Sequence, residues 1–342
     1  MERALWEPLL RFESRDYLCR RYKKIHEKTL NATRAHEISS CFTQGREYFS
    51  SASNASDTVK PLLIYYGVAS LSKGATLLRD ISKREESLTP GHGLTTIDWA
   101  KTLAGGISQV LNLQVQSTKG LFQDFVHGIG NCQSYEWLGQ HNQIGGFRND
   151  FGKINFLDDK SQISLKDLLS RERELIGEFD IADDKGWNVD IGTIVSSKDY
   201  LRLHFALTEK TDSEKIIQAH NPKGIHNIST TPHPRYPHIP AMRTLCIEIA
   251  VSGENQKKHA PIAIEQSSNV GWIIRPFQNG DKIIDIHRVF IESYILGMLS
   301  RYFPSKWISI LGGEKGDIAR SVIIAAVTRI ETKFPKLLTD QL

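Results

Sequence analysis

The chain has 342 residues, of which 40% are hydrophobic and 24% charged, a composition typical of globular proteins with one large domain or two smaller ones. Its net charge of +4 is too small to indicate nucleic-acid binding by charge alone, and no segment has the ~20 apolar residues of a membrane helix. The four cysteines lie far apart without a CxxC pair, which argues against a disulfide framework or a zinc knuckle. These features predict a soluble, cytoplasmic protein without a membrane segment.

The N-terminal region, 1–110, is predicted to be helical. Apolar residues recur every three or four positions over 14–30 and 34–56, which is the period of an amphipathic helix. Pro61 then begins a helix over 61–80 that is apolar on nearly all sides. A helix of this kind lies inside a bundle.

The central region, 111–286, is predicted to be mixed α/β. The segment 111–128 reads as a strand pair turning at Lys119 and Gly120, and 163–179 reads as a helix capped by Ser164.

Most of the strand signal lies between residues 186 and 286. An Asn279-Gly280 pair follows the last strand and predicts a hairpin turn, and a loop rich in His and Pro covers 219–240. The predicted strands are NVDIGTIVS, YLRLHFAL, TLCIEIAVS, APIAIEQ and GWIIRPF.

The C-terminal region, 287–342, is predicted to form two helices, the first stopped by Pro304. We expect these helices to pack back on the N-terminal helices. The fold class predicted is therefore α+β, with N- and C-terminal helices forming a bundle beside a central mixed or antiparallel β region.

The positive charge is concentrated near the N-terminus. Residues 1–84 hold fifteen Lys and Arg against nine Asp and Glu, a net charge of +6, and 15–34 is the densest part. One interpretation is a seat for a phosphate backbone, and the alternative is a solvated helix face. The candidates for nucleic-acid binding are Arg20, Arg21, Lys23, Lys24 and Lys28.

A polar seam crosses the apolar helix at 61–80. Tyr66, Ser70 and Lys73 are four and three residues apart and therefore share one helix face. Because this helix is predicted to be buried, Lys73 is predicted to be buried too, and it must meet a carboxylate, a helix C-terminus or a bound anion. The structural alternative is an ion pair with Glu47 or Glu292, whereas a ligand-binding role for Tyr66 and Lys73 needs a cleft.

Two further residues, His92 and Arg301, are candidates for a site. His92 lies between two glycines, whose backbone freedom permits an unusual turn. The guanidinium of Arg301 can fork onto a carboxylate or a phosphate, although a cation is also favourable at an ordinary helix C-terminus.

Four histidines, His220, His226, His233 and His238, fall in the predicted loop. Their spacing matches no zinc pattern, so we favour a solvated loop over a metal or acid–base site. The phosphate-loop, dinucleotide, GxSxG and HExxH motifs are absent, and no cofactor is predicted.

Five segments in a fixed order resemble the YaaC-like family of uncharacterised bacterial proteins. They are GREYFSSA (45–52), PLLIYYGVASLSKG (61–74), GHGL (91–94), ISLKDLLSREREL (163–175) and YILGMLSRYFPSKW (294–307). This resemblance implies no activity.

The helical block also loosely resembles HEPN-type helical domains, several of which are RNases or partners of toxins and defence enzymes. In that family an Arg is followed after four to six residues by a His, and Arg20 or Arg21 with His26 has this spacing. The resemblance by itself is a weak argument for activity.

Our first functional interpretation is a binding or assembly module for a protein or RNA partner, without a familiar catalytic centre, and a stress or antiphage system is one setting for it. Whether it forms an oligomer stays open. The alternative is a metal-independent RNase or another phosphodiester-cleaving enzyme. Its catalytic residues would be Arg20 or Arg21 with His26, or a seam of Lys73, His92 and Arg301.

Overall fold

The computed structural model describes a chain with two compact units. Unit 1 consists of Met1–Gly130, Phe156–Trp187 and Asp285–Leu342, and unit 2 consists of Asn131–Asn155 and Asn188–Ile284. The predicted central region 111–286 thus contributes to both units. The residues described are 3–138, 144–158, 160–183, 186–196, 200–207, 213–219, 225–232, 238, 243–250, 257–258, 263–267, 270–313 and 318–342.

The secondary structure confirms the α+β prediction, with helices at both ends of the chain and small, mainly antiparallel sheets. The helices are α1 Arg3–Leu10, α2 Arg15–His26, α3 Ala32–Asn54, α4 Lys60–Arg79, α5 Trp99–Ala104, α6 Leu121–Ile129, α7 Leu165–Leu169, α8 Ile176–Asp183, α9 Ser213–Ala219, α10 Asp285–Tyr302, α11 Pro304–Leu311 and α12 Ile318–Gln341. The strands are β1 His92–Ile97, β2 Gln114–Gly120, β3 Cys132–Leu138, β4 Ile144–Asp150, β5 Gln162–Ser164, β6 Val189–Ser196, β7 Tyr200–Leu207, β8 Ile225–Pro232, β9 Arg243–Ala250, β10 Lys257–Lys258, β11 Ala263–Ser267 and β12 Val270–Ile274.

Helix α4 is the core of unit 1, and glycines let its neighbours approach closely. A Cβ atom on Gly67 would lie 2.6 Å from the Phe49 ring of α3, and one on Gly45 of α3 would lie 2.6 Å from the Leu71 side chain. On the α10 side, a Cβ on Gly297 would lie 2.8 Å from Cβ of Tyr65. Because these contacts leave no room for a methyl group, α3 and α10 pack directly on the backbone of α4.

The predicted strand pair at 111–128 is wrong in its second half. Strand β2 ends at Gly120, and the chain continues as helix α6. Phe122, Phe125, Val126 and Ile129 are buried there at helical spacing. The apolar period of a helix therefore overrides the short-range turn signal.

The predicted helix at 163–179 begins where expected but is interrupted. Ser164 caps α7, since its hydroxyl accepts from the Asp167 amide at 3.0 Å while the Asp167 carboxylate accepts from the Ser164 amide. Helix α7 ends at Leu169, and a separate helix, α8, starts at Ile176.

Unit 2 is built mainly on an antiparallel sheet of six strands in the order β11-β12-β6-β7-β9-β8. Strands β6, β7, β9, β11 and β12 lie in the five predicted segments, and β7 pairs with β9 from Tyr200 opposite Ala250 to Leu207 opposite Arg243. The segment 219–240 is not a loop throughout, because β8 occupies 225–232. Strands β3, β4 and β10 form a second sheet in the order β10-β4-β3.

The Asn279-Gly280 pair makes a turn but no hairpin. Gly280 has φ +83°, and the Phe277 amide donates to the Asp281 carbonyl at 2.9 Å. No strand follows before α10 begins at Asp285.

A buried ion network holds α10 and α12 in unit 1. Every residue of α10 from Asp285 to Ser300 is buried. Arg329 of α12 donates to Glu172, Asp285 and Glu292, and Arg288 donates to Glu172 at 2.8 Å. A charge buried in this way must keep its partner, since an unpaired one costs several kcal/mol.

His287, also on α10, is fully buried between the Phe122 and Phe125 rings, and its Nε2 donates to the Gly130 carbonyl at 3.0 Å. Burial lowers the pKa of His287 to about 4. The folded protein therefore holds this imidazole neutral. No helix among the residues described is both long and apolar enough to cross a membrane.

The glycine contacts of α4 predict opposite effects for two glycine-to-alanine changes. Gly67→Ala should lower the free energy of unfolding by about 1–3 kcal/mol, because the new methyl group overlaps the Phe49 ring. Gly177→Ala in α8 is the matched control, since a Cβ there meets nothing within 4 Å, and it should stabilise by up to ~1 kcal/mol. Urea unfolding measures both, and equal effects would contradict the close packing of α3 on α4.

His287 predicts a loss of stability in acid. The unfolded chain protonates this residue near pH 6.5 and the folded protein near pH 4, so the unfolded state binds the proton first as the pH falls. Its contribution is complete above pH 6.5 and is lost towards pH 4, by roughly 3 kcal/mol.

His287→Gln keeps a side-chain amide for the Gly130 carbonyl but does not titrate. Urea unfolding from pH 7 to pH 4.5 should therefore show a shallower pH dependence for this variant. The same slope in both proteins would show that His287 is protonated in the folded state.

Candidate functional site

Four side chains of unit 1 come together where α4, β1 and the end of α10 meet, and we call them the cationic cluster: Tyr66, Lys73, His92 and Arg301. The Arg301 guanidinium donates to the Tyr66 hydroxyl at 2.8 Å. Next to Tyr66 on α4, the Tyr65 hydroxyl lies 2.6 Å from Nδ1 of His92. The cluster joins Tyr66 and Lys73, predicted as ligand-binding, to His92 and Arg301, predicted as catalytic candidates.

Glycines place His92 at the start of β1. Gly91 has φ +92° and Gly93 has φ +81°, values that favour glycine. A Cβ on Gly93 would lie 2.5 Å from the Phe122 amide nitrogen, and one on Gly120 would collide with the Gly93 amide. This confirms that the glycines flanking His92 have a conformational role.

Buried aromatic rings support the imidazole from behind. The His92 ring centroid lies 5.4 Å from that of Tyr65 and 5.6 Å from that of Tyr294, and both tyrosines are buried. The Tyr294 hydroxyl donates to the Leu94 carbonyl at 3.0 Å. Burial raises the pKa of the Tyr65 phenol far above its usual range, so this hydroxyl keeps its proton and can donate to Nδ1.

The two cations of the cluster act on His92. Burial lowers the pKa of the imidazole, and the positive charges of Arg301 and then Lys73 lower it further. His92 is therefore neutral at pH 7, half-buried, and oriented by Tyr65.

The prediction that Lys73 is buried is wrong, because its side chain is exposed. Of the three residues of the polar seam only the middle one, Ser70, is buried, and it donates to Gln44 at 3.0 Å. The carboxylates considered as partners are engaged elsewhere: Glu47 pairs with Arg46 at 2.7 Å and Glu292 with Arg329 at 3.1 Å.

Neither Lys73 nor Arg301 has a carboxylate within ion-pair distance in the part of the chain that the structure describes. Both side chains are exposed and both charges act on the neutral imidazole of His92, and Arg301 also contacts the Tyr66 hydroxyl. Two cations that have no carboxylate partner, together with nearby hydrogen-bond donors, can bind an anion.

The candidates on α2 and just after it divide into two groups. Arg20, Lys23, Lys24 and Lys28 are exposed, and they make no ion pair within the described residues. We call these four residues the basic face. They remain candidates for contact with an anionic partner.

Arg21 and His26, the pair with the spacing seen in HEPN domains, bind the ends of other helices. Arg21 donates to the backbone oxygen of Leu342, and Nε2 of His26 lies 2.8 Å from the Leu78 carbonyl in the last turn of α4. Arg34 joins His26 there, donating to the Leu77 carbonyl at 2.7 Å. Free carbonyls at a helix C-terminus carry partial negative charge, which explains these contacts structurally.

Most of the histidines considered as metal ligands lie outside the described residues. His220 and His233 lie outside the described residues, as does the His226 side chain, while His238 is exposed. Among described residues, no group of three or more His, Cys, Asp or Glu is arranged to hold a metal ion. The zinc hypothesis for 219–240 stays untested.

Sequence reasoning missed the tyrosines that surround the cluster. Tyr65 orients His92, Tyr294 supports it, and Tyr302 lies under the Arg301 guanidinium at 5.0 Å from Cζ to the ring centroid. Tyr302 directly follows Arg301 in the sequence, and this adjacency is the one sequence feature that could have identified Tyr302 as part of the site.

The electrostatics of the cluster predict that the pKa of His92 lies below its ordinary value of 6.5. Removing either cation, by Arg301→Gln or Lys73→Gln, should raise the pKa of His92, because each charge disfavours the imidazolium. NMR titration of the imidazole protons measures the shift. Lys336→Gln, an exposed cation of α12, is the control and should leave it unchanged. Unaltered values in both cluster variants would show that the two charges do not act on His92.

Comparison with known proteins gives one match. No curated protein and no solved structure matches the chain. A family model described as YaaC-like protein matches residues 11–342, nearly the whole sequence. The resemblance to HEPN-type domains is not shown by these comparisons. Tyr48, whose ring lies 5.5 Å from that of Tyr66, and then Tyr66, His92 and Arg301 come from four different segments that carry the resemblance. The chain belongs to the YaaC-like family.

Proposed function

We propose that this protein is a binding module for a phosphate-bearing partner, RNA in the first place, seated on the cationic cluster. The observation that carries the proposal is that Lys73 and Arg301 are exposed beside His92 without a carboxylate partner among the described residues. An anion that enters supplies the missing countercharge. Arg301 binds two phosphate oxygens through its planar fork, and Lys73 acts as a point charge.

A polymeric anion is favoured over a small one by the basic face. Its four exposed cations lie on α2 and the residues just after it, in the same unit as the cluster. Several separate phosphate contacts are what a nucleic-acid backbone offers, whereas a single metabolite satisfies one. A role in stress or antiphage defence stays a prediction, supported by fold analogy alone.

Phosphodiester cleavage is the second candidate, favoured by the state of His92. Its lowered pKa leaves a neutral imidazole at pH 7. Nε2 can accept a proton in the tautomer whose Nδ1–H donates to the Tyr65 hydroxyl oxygen. Lys73 and Arg301 would then stabilise charge developing on the phosphate, without a metal ion. This candidate and the first share a site and differ in whether the bound strand is cut.

The test incubates the purified protein with end-labelled single-stranded RNA and DNA, with and without divalent metal, and runs each sample on native and denaturing gels. We expect a mobility shift of RNA without cleavage. Arg301→Gln and Lys73→Gln should each weaken binding roughly tenfold at low salt and reduce the salt-dependence slope by about 0.7.

Lys336→Gln is the charge-matched control and should bind like the wild type. Cleavage that His92→Gln abolishes while binding persists would replace the first candidate by the second. Failure of the wild type to bind, or binding that neither cluster variant weakens, would overturn the proposal.

A further inference from the structure

Tyr302 is an exposed aromatic ring directly beside the cationic cluster. Its side chain is 59% exposed, and no other Phe, Tyr or Trp side chain that the structure describes is comparably exposed. By contrast, Tyr65 and Tyr294 of the same site are buried. The Tyr302 ring is therefore accessible to a ligand, whereas the two buried tyrosines are not.

The ring is held in place from one side. The Arg301 guanidinium carbon lies 5.0 Å from the Tyr302 ring centroid, a cation–π distance, while Nη1 of Arg301 donates to Tyr66. The Tyr302 hydroxyl is also close enough to Tyr294 to raise the pKa of that residue, so the ring lies next to the cluster. Since more than half of the side chain is still exposed, the surface not covered by Arg301 is open to a ligand.

We infer that Tyr302 is a stacking platform for a nucleobase, which makes the ligand of the cationic cluster a single-stranded nucleic acid. The inference rests on the proposed function, because the cluster supplies the phosphate contact beside the platform. Every base has a π-face that can stack on a tyrosine, and such a contact tolerates any sequence. Bases in a duplex are stacked on each other and are not offered to a protein ring in this way.

The chemistry of the site discriminates between partner classes. A phosphorylated protein or an acidic peptide uses the two cations, but it contacts Tyr302 only if an aromatic or arginine side chain lies next to its anionic group. A single strand uses both, since its phosphate meets Arg301 and Lys73 while the adjacent base meets Tyr302. The pairing of Arg301 and Tyr302 in the sequence thus places a phosphate contact and a base contact side by side.

The test compares Tyr302→Leu with Tyr302→Phe in the full-length protein. Leucine keeps an apolar side chain without a π-face, and phenylalanine keeps the ring. The probes are a single-stranded RNA containing 2-aminopurine, an abasic strand of the same length, and the corresponding duplex. We expect Tyr302→Leu to weaken binding of the RNA roughly tenfold and Tyr302→Phe to bind like the wild type.

A spectroscopic readout separates stacking from affinity. At saturating protein, quenching of 2-aminopurine should occur with the wild type and Tyr302→Phe and be lost with Tyr302→Leu. The abasic strand should bind equally to all three, and the duplex should bind more weakly than the single strand to the wild type. Thermal unfolding of the variants checks that the exposed position leaves the fold intact.

Two failures can be told apart. If Arg301→Gln and Lys73→Gln weaken RNA binding while Tyr302→Leu changes neither affinity nor quenching, the stacking platform is refuted and the proposed function stands. If the two charge variants bind as the wild type does, the proposed function fails and the inference fails with it. Equal affinity for the duplex and the single strand also overturns the inference.

Discussion

The close approach of α3 and α10 to the backbone of α4 is the constraint on which the rest of unit 1 depends. Glycines at 45, 67 and 297 remove the side chains that would separate these helices. Helix α4 is consequently enclosed over most of its surface, and its two tyrosines differ in environment because they lie on different sides of it. Tyr65 is buried against α10 and β1, whereas Tyr66 lies at the margin, where Arg301 and solvent reach it.

Charged side chains of unit 1 lie in two contrasting environments, the interior and the surface. In the interior, the cations Arg288 and Arg329 are met by the carboxylates Glu172, Asp285 and Glu292. At the surface, Lys73 and Arg301 lie beside His92 and have no such partner among the residues described. Interior pairs are required by the cost of burial. The surface cations face no such cost, because water solvates them.

The sequence alone was sufficient to predict the helices and strands that have a long, regular apolar period. Helices over Ala32–Asn54, Lys60–Arg79 and Asp285–Tyr302 and the strand over Tyr200–Leu207 begin and end within a few residues of the predicted bounds. The error at 121–129 has a physical cause: a short apolar run after a glycine fits both a strand and a helix, and tertiary packing against α4 and α10 selects the helix.

The site was less predictable than the fold. His92 and its glycines carried a local signal, because a residue between two glycines indicates an unusual backbone. The contact between Tyr66 and Arg301 carried no such signal, since the two residues are 235 positions apart and nothing in either segment specifies the other. The predicted burial of Lys73 was wrong because composition does not show which part of a helix its neighbours cover. Although α4 is apolar on nearly all sides, its surface at Lys73 is exposed.

The buried ion network has a consequence for how the protein is made. Glu172 is synthesised well before its partners Arg288 and Arg329, and unit 2 is inserted between them in the chain. A nascent chain that has not yet released α12 holds carboxylates whose cation is missing, and burying them uncompensated is strongly unfavourable. The ion network of unit 1 is therefore completed only after α12 has left the ribosome, whereas the segments of unit 2 are synthesised before α12.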